Sequence, residues 1–446
     1  MPSIRITKKR FGALLANKAG KVNVSLDEGS QWNVTKDSTA SSLSMKQATL
    51  NLSGKDAPVT LTTDDFKSEN GTLAVKVTDD AHSLLNTKTA SGTVYVSANG
   101  EKGVTPASEL AKTKIMSFDQ GSSVTLKGVT TMTDESMYGI VTPVSQDESA
   151  GYVGGKYEVD KNVVSDKALR TIGAVRRAGR FIMAGMDAPL YPDSNDENVW
   201  AHWSRGNYGP GDWSGSHNDL AAGVDLYHTD HSRAGISVMH TNSSLDRTEN
   251  LGEVSMKKKF TRVSLYGRHD FAGGLHAAGD VFAGGIRIKD TSLVDMSTRT
   301  AGVHAEVGVD VPAGRGTITP LVRAAYAGIR GFTTKDGEGF PFTMKESHYS
   351  SFSAGLKASL PLSPVSLLTA YAGWGIRTGY DIDGTMSDAW NTMDISESGK
   401  EHVKTLGIGY RCDVTPFARL SLSAAREFSS GLHDDWNFQV SAAYKF

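Results

Sequence analysis

From residue 198 onward, apolar and polar positions alternate with a period of two. Over 349–360, Phe352, Ala354, Leu356, Ala358 and Leu360 share one face, and Ser351, Ser353, Gly355, Lys357 and Ser359 share the other. Val303, Ala305, Val307, Val309 and Val311 likewise oppose His304, Glu306, Gly308 and Asp310. Successive strand side chains point to opposite faces, so this pattern predicts β-strands with one apolar face. About twelve such strands, each of roughly ten residues, are expected. They centre near Trp200, Val224, Ile236, Leu265, Val281, Val307, Val322, Ala354, Ala372, Ile408, Leu422 and Val440. Facing is ambiguous only around Asp280, Val281 and Phe282. The last strand runs from Trp436, with Phe438, Val440, Ala442, Tyr444 and Phe446 on its apolar face.

A soluble sandwich also alternates along its strands. The connections separate the two cases. Short ones at 229–231, 272–274, 312–315, 361–364 and 413–416 alternate with long polar ones at 206–218, 241–256, 330–346 and 379–402. Short turns on one rim and long loops on the other, with an even strand number, predict a transmembrane barrel. Trp200, Trp203, Trp374, Trp390 and Trp436 suit aromatic girdles better than a sugar platform.

Two other patterns precede the barrel. Short alternating runs recur through 22–160, at 21–26, 48–52, 59–62, 72–77, 93–96 and 123–126, and suggest stacked rungs of a β-solenoid. A β-sandwich or a partly disordered linker is the alternative. Over 165–187 the period changes to a helical one, with Ser165 as N-cap and Leu169, Ile172, Val175 and Ile182 on one stripe. At 1.5 Å per residue this helix spans about 33 Å. Arg170, Arg176, Arg177 and Arg180 exclude it from lipid. It is either a basic surface helix or a helix inside a polar pore.

Composition narrows the choice. The 446 residues suffice for two domains. A net charge of −2 leaves no electrostatic footprint for nucleic acid. Mean hydropathy is −0.30, and no run approaches the ~18 apolar residues of a spanning helix. A barrel tolerates that value because its strands alternate. The single cysteine, Cys412, excludes an intrachain disulfide framework. Motifs of zinc proteases, serine hydrolases and nucleotide-binding loops are absent. The 12 histidines are scattered, and Ser216, His217 and Asp219 are too close in sequence to promise a triad.

A β-repeat segment, a helix and about twelve strands ending in Phe446 together resemble a type Va autotransporter. The first strand, Asn198 to Gly209, is similar to that family's Val-Trp-Ala-Arg motif. The segment 128–159, with Tyr152, Gly154, Gly155 and Tyr157, looks like the end of a β-helix passenger. The resemblance implies an all-β chain: a 12-stranded antiparallel transmembrane barrel with an N-terminal pore helix, after a short β-solenoid-like passenger. The expected division is 1–21 unassigned, 22–164 passenger remnant, 165–187 pore helix and 188–446 outer-membrane barrel. The implied function is non-enzymatic: the barrel carries its own passenger to the surface of a Gram-negative cell. The alternatives are another outer-membrane barrel, porin-like or hydrolytic, or a soluble β-rich adhesin.

Trp436, Phe438, Val440, Tyr444 and Phe446 would form the barrel-assembly signal. The implied partners are outer-membrane lipid and lipopolysaccharide, the barrel-assembly machinery and the passenger in cis. No cofactor, metal or nucleic acid is implied, and the barrel is expected to be monomeric. In a narrow pore the helix arginines need partners, and Arg176 and Arg177 are expected to pair with some of Asp225, Glu306 and Asp310 on the lumen wall; the alternative is that they face water in a wide pore. Family members carry a secretory signal, whereas 1–21 lacks an apolar core; a late start, a truncated gene or a fragment is expected.

Overall fold

The computed structural model describes residues 3–14, 21–54, 57–77, 81–99, 105–133, 135–191, 198–209, 213–249, 252–290, 295–334, 339–379, 382–429 and 433–445. Two compact units are present: Met1–Asp166 with Asp388–Asn391, and Lys167–Ser387 with Thr392–Phe446.

The first unit is a parallel ladder. Ser3–Ile6 pairs with Asn23–Leu26, which pairs with Ser38–Lys46, then Thr60–Lys76, then Leu84–Asn99. A second face stacks Lys9–Gly12, Gln31–Val34 and Thr49–Asn51 onto the same long strands. Like residues lie in columns. Val24, Leu43, Phe66 and Ala90 are successive partners, as are Trp32, Leu50, Leu73 and Val96, and all eight are buried. Each rung buries its apolar face only by stacking on its neighbours, which is the physics of a solenoid. Asn33 and Asn51 extend the column logic to polar atoms, with Asn51 Nδ2 donating to Asn33 Oδ1 at 2.8 Å. Residues 3–12 join the ladder, although their alternation is too short to be read from sequence. The parallel order ends where Ala150–Lys156 pairs antiparallel with Glu109–Ser117.

In the second unit, a helix, α1 (Asp166–Met183), precedes twelve long strands. These are β1 (Val199–Gly209), β2 (Trp213–His228), β3 (Ser232–Glu249), β4 (Gly252–Asp270), β5 (Leu275–Asp290), β6 (Asp295–Val309), β7 (Gly316–Ile329), β8 (Ser347–Ser363), β9 (Ser366–Thr378), β10 (Lys400–Thr415), β11 (Ala418–Phe428) and β12 (His433–Tyr444). Each pairs antiparallel with its neighbours, and β1 pairs with β12, so the sheet closes. A three-residue strand, Val311–Ala313, extends the β6–β7 hairpin.

The strands run longer than the expected ten residues. Segments expected as loops at 206–218 and 241–256 belong largely to β1 to β4, whose hairpins continue past the apolar band. Polar residues there still alternate and still complete the ladder, so hydropathy alone ends the strands too early. The 330–346 and 379–402 connections contribute a separate four-stranded sheet: Phe332–Thr333, Phe342–Met344, Ile382–Ser387 and Thr392–Glu397.

Outward side chains form an apolar surface. Leu220, Leu265, Val281, Leu356, Leu406 and Ile408 are each more than half exposed. Water would not tolerate so continuous a patch, whereas a bilayer core requires one. Trp203, Trp374 and Trp436 face outward too. Trp200 faces the lumen, where its Nε1 donates to Tyr266 Oη at 3.2 Å.

Candidate functional site: the plugged lumen

Helix α1 lies inside the barrel because its composition suits a lumen. One side buries Ala174, Ala178, Phe181, Ile182 and Met183. These pack on inward apolar residues of the wall, among them Met239, Met256, Phe260, Phe282 and Ile286. That dry contact explains why Asp280, Val281 and Phe282 were ambiguous. Val281 faces out, and Asp280 and Phe282 both face in. The lumen here is part apolar core and part polar, so the expected polar-in rule fails locally.

The helix is 18 residues long, about 27 Å, and stops within the lumen. Gly185, at φ +79°, takes the left-handed conformation that commonly ends a helix. The last turn of any helix leaves carbonyls without partners. Here the wall supplies them: Lys258 Nζ donates to Phe181 O at 2.9 Å and to Ala184 O at 2.7 Å. Its ammonium is buried, stands 4.9 Å from the Phe181 ring centroid, and meets the negative end of the helix dipole.

The chain continues as a non-helical segment, 184–191, and wall side chains bind its backbone. Arg262 donates to Ala188 O. His304 Nε2 meets Met186 O at 2.7 Å, while its Nδ1 meets Asp280 Oδ1 at 2.9 Å. Ser237 Oγ donates to Leu190 O at 3.2 Å. From β9, Arg377 reaches Asp187 Oδ2 at 2.7 Å and Glu427 Oε2 at 2.7 Å.

On its exposed side α1 meets the small four-stranded sheet. Glu397 accepts from Arg180 at 2.6 Å and lies 3.4 Å from Arg176. Phe340 N donates to Thr171 Oγ1 at 3.2 Å, and Lys167 sits 4.6 Å from the Phe340 ring centroid. Gly179 allows close approach: a Cβ there would fall 2.1 Å from Ile382 Cδ1.

The acids expected to pair with the helix have other partners. Asp225 is buried in the wall with Tyr266 Oη at 2.7 Å, His228 at 2.9 Å and Arg233 at 3.4 Å. Glu306 faces the lumen and binds Arg323 at 2.6 Å, with His276 at 3.5 Å. Asp310 is exposed at the rim of short turns and accepts from Thr319 Oγ1 at 2.5 Å. Glu397, expected only as part of a polar loop, holds Arg176 and Arg180 instead. Arg177 is buried against the wall side of α1, and Arg170 lies on its exposed side.

Lys258, Arg262 and His304 were not singled out from sequence. A signal existed: Met256, Phe260, Ser264 and Tyr266 alternate with the outward Val263 and Leu265, which fixes Lys258 and Arg262 as inward. The neighbouring Lys257 and Lys259 obscured it.

In the terminal strand, Trp436, Phe438 and Tyr444 face outward, and Val440 shares their side. Phe446 lies outside the described residues. The Ser216, His217, Asp219 cluster does not assemble a nucleophile. His217 Nδ1 and Ser204 Oγ both bind Asp219 Oδ2, at 2.9 and 2.8 Å, while Ser216 faces Ser244. No group of three or more potential metal-ligating His, Cys, Asp or Glu residues occurs among the described residues.

The chain matches a family model described as the autotransporter beta-domain over residues 198–425, just over half its length. Among solved structures, the β-domain of the Bordetella autotransporter BrkA is 15% identical with a TM-score of 0.44; the match covers 56% of this chain and 100% of that one. The transport unit of AIDA-I from Escherichia coli is 16% identical with a TM-score of 0.48, covering 62% and 99%. The translocator domain of NalP from Neisseria meningitidis is 16% identical with a TM-score of 0.42, covering 62% and 98%. No curated protein matches the chain. With the family model matched along eleven of the twelve strands of a closed barrel, the chain belongs to the autotransporter beta-domain family, and its barrel is a type V secretion translocator of the Gram-negative outer membrane.

Proposed function

We propose that residues 188–446 carry the segment 22–164 of the same chain to the cell surface, and that residues 165–187 then stay in the lumen as its plug. The direction of the chain through the lumen carries this reading. Thr171, early in α1, sits beside Phe340 on the rim of long connections. Asn198, at the other end of the plug, donates to Tyr444 O at 2.9 Å near the rim of short turns. A polypeptide leaving α1 in the N-terminal direction therefore emerges on the side where outer-membrane barrels place their external loops.

The protein works without catalysis in this account: the lumen groups bind backbone and one another. The outward strand β12, with Trp436, Phe438, Val440 and Tyr444, together with Phe446, serves as the assembly signal read by the barrel-assembly machinery. The barrel acts as a monomer in lipid, with lipopolysaccharide around its outer rim.

The test is expression of the chain behind a cleavable secretory signal in a Gram-negative host, beside a version lacking Phe446. Outer-membrane recovery and heat-modifiable gel mobility are expected for the first, and reduced assembly for the second. Soluble folded protein in the periplasm would refute the membrane-barrel reading.

A further inference from the structure

The three consecutive lysines on β4 divide by face. Lys258 points inward to the end of α1, while Lys257 and Lys259 point outward and are exposed. On neighbouring β5, Arg287 and Lys289 also point outward. The register sets these cations directly opposite one another: Lys257 pairs with Lys289, and Lys259 with Arg287. Like charges directly opposite on one face of a sheet are destabilising. Two more cations extend the patch. Arg299 is exposed on the outward side of β6, and the exposed Arg330, just past β7, donates its N–H to Arg299 O at 2.9 Å.

Acids answer only part of this charge. Asp295 on β6 binds Arg287 at 3.0 Å and Lys289 at 3.1 Å. Among the described residues, no acid forms an ion pair with Lys257, Lys259, Arg299 or Arg330. Asp246 faces outward on β3 but pairs with Ser255, two residues beyond Lys257. An anion held across the four strands would relieve the repulsion.

The patch also has a defined height. On the same strands the exposed Val263, Val281, Val303 and Tyr326 lie four to six residues nearer the short turns. At ~3.3 Å per residue that is roughly 13–20 Å, so the cations border the apolar band on the side of the long connections. From β4 to β7 the patch crosses three strand spacings, about 14 Å. A ligand here meets apolar wall at one level and cations at the next, over a width that one phosphate does not cover.

We propose that this face of the barrel binds the phosphorylated headgroup of lipopolysaccharide, resting on the translocator reading above. The phosphates lie on Lys257, Lys259, Arg287, Lys289, Arg299 and Arg330, and the acyl chains lie on the apolar band. Arginine offers paired donors that match phosphate oxygens, and lysine a compact charge. Clusters of such residues at a membrane surface attract anionic headgroups. The width of the patch selects a headgroup with more than one phosphate over a glycerol lipid with a single one.

Binding of deep-rough lipopolysaccharide to the purified full chain in detergent micelles tests this, read by native mass spectrometry. Lys257→Gln with Lys259→Gln removes two patch cations that hold no ion pair. Lys400→Gln with Lys404→Gln is the charge-matched control, exposed on β10. The first variant is expected to bind several-fold less than the parent, and the second equally well. Dephosphorylated lipopolysaccharide and phosphatidylglycerol should each bind the parent several-fold less. Equal binding by the first variant and the parent, or equal loss in both variants, overturns the site. Phosphatidylglycerol or inorganic phosphate competing as well as lipopolysaccharide makes this a general anion site and overturns the assignment. Heat-modifiable mobility reports a folded barrel in each variant; a parent chain that lacks it fails the membrane reading itself, and the site with it.

Discussion

Replacing Lys258 with methionine should loosen the plug, and the size of the effect follows from its contacts. The ammonium satisfies Phe181 O and Ala184 O, two carbonyls that the end of α1 leaves open. Leaving a buried carbonyl without a donor costs roughly 1–3 kcal/mol each. A buried methionine returns roughly 1–2 kcal/mol as apolar surface. The net weakening is about 2.5 kcal/mol, or roughly a 60-fold rise in the unplugged population. Glu397→Gln removes a second attachment of the helix, at Arg176 and Arg180. Its arginine partners are about half exposed, at 53% and 52% of their side chains. Such pairs contribute about 0–1 kcal/mol, so that variant should rise no more than about fivefold. Single-channel recording of the purified full chain in planar bilayers reads the open fraction, with heat-modifiable mobility as the control for a folded barrel. A Glu397→Gln protein that opens more often than Lys258→Met, or a Lys258→Met protein indistinguishable from the parent, would refute the ranking.

Other expectations follow from the same geometry. Arg177→Glu places an acid on the buried side of α1 and should raise ion conductance; unchanged conductance would count against a docked plug. Leu406→Lys faces lipid and should destabilise the barrel by about 2–4 kcal/mol if it lies at mid-bilayer, whereas Thr405→Lys faces the lumen and should cost much less. Urea unfolding in lipid vesicles compares them, and similar losses would reverse the facing. Phe66→Ala opens a void in the solenoid column and should cost about 3–5 kcal/mol, read as a lowered thermal midpoint of the passenger with the barrel transition unchanged. Trp436→Ser with Phe438→Ser should reduce outer-membrane assembly, scored by the heat-modifiable fraction.

The barrel was largely legible because alternation over strands is a strong, local signal. Residues such as Val303, His304, Ala305 and Glu306 face as their alternation requires. Strand ends were less legible, since β3 and β4 continue past the apolar band into polar residues that extend the ladder. The small sheet carrying Glu397 could not be read, because its four strands come from two connections far apart in sequence. The site was legible only in part. The arginines of α1 announced a polar environment, but their partner depends on which loop folds over them. The wall cations depend on register, and an apolar patch inside the barrel disguises that register at Phe260, Phe282 and Ile286. In the solenoid, successive column partners Val24, Leu43, Phe66 and Ala90 are 19, 23 and 24 residues apart, so no single repeat length stands out.

The most direct test of the central claim is protease treatment of intact cells expressing the full chain behind a secretory signal. The account predicts that segment 22–164 is removed from outside while a fragment containing β1 to β12 and the lumen-held plug survives in the outer membrane. Complete protection of 22–164 in cells whose barrel is assembled would contradict it.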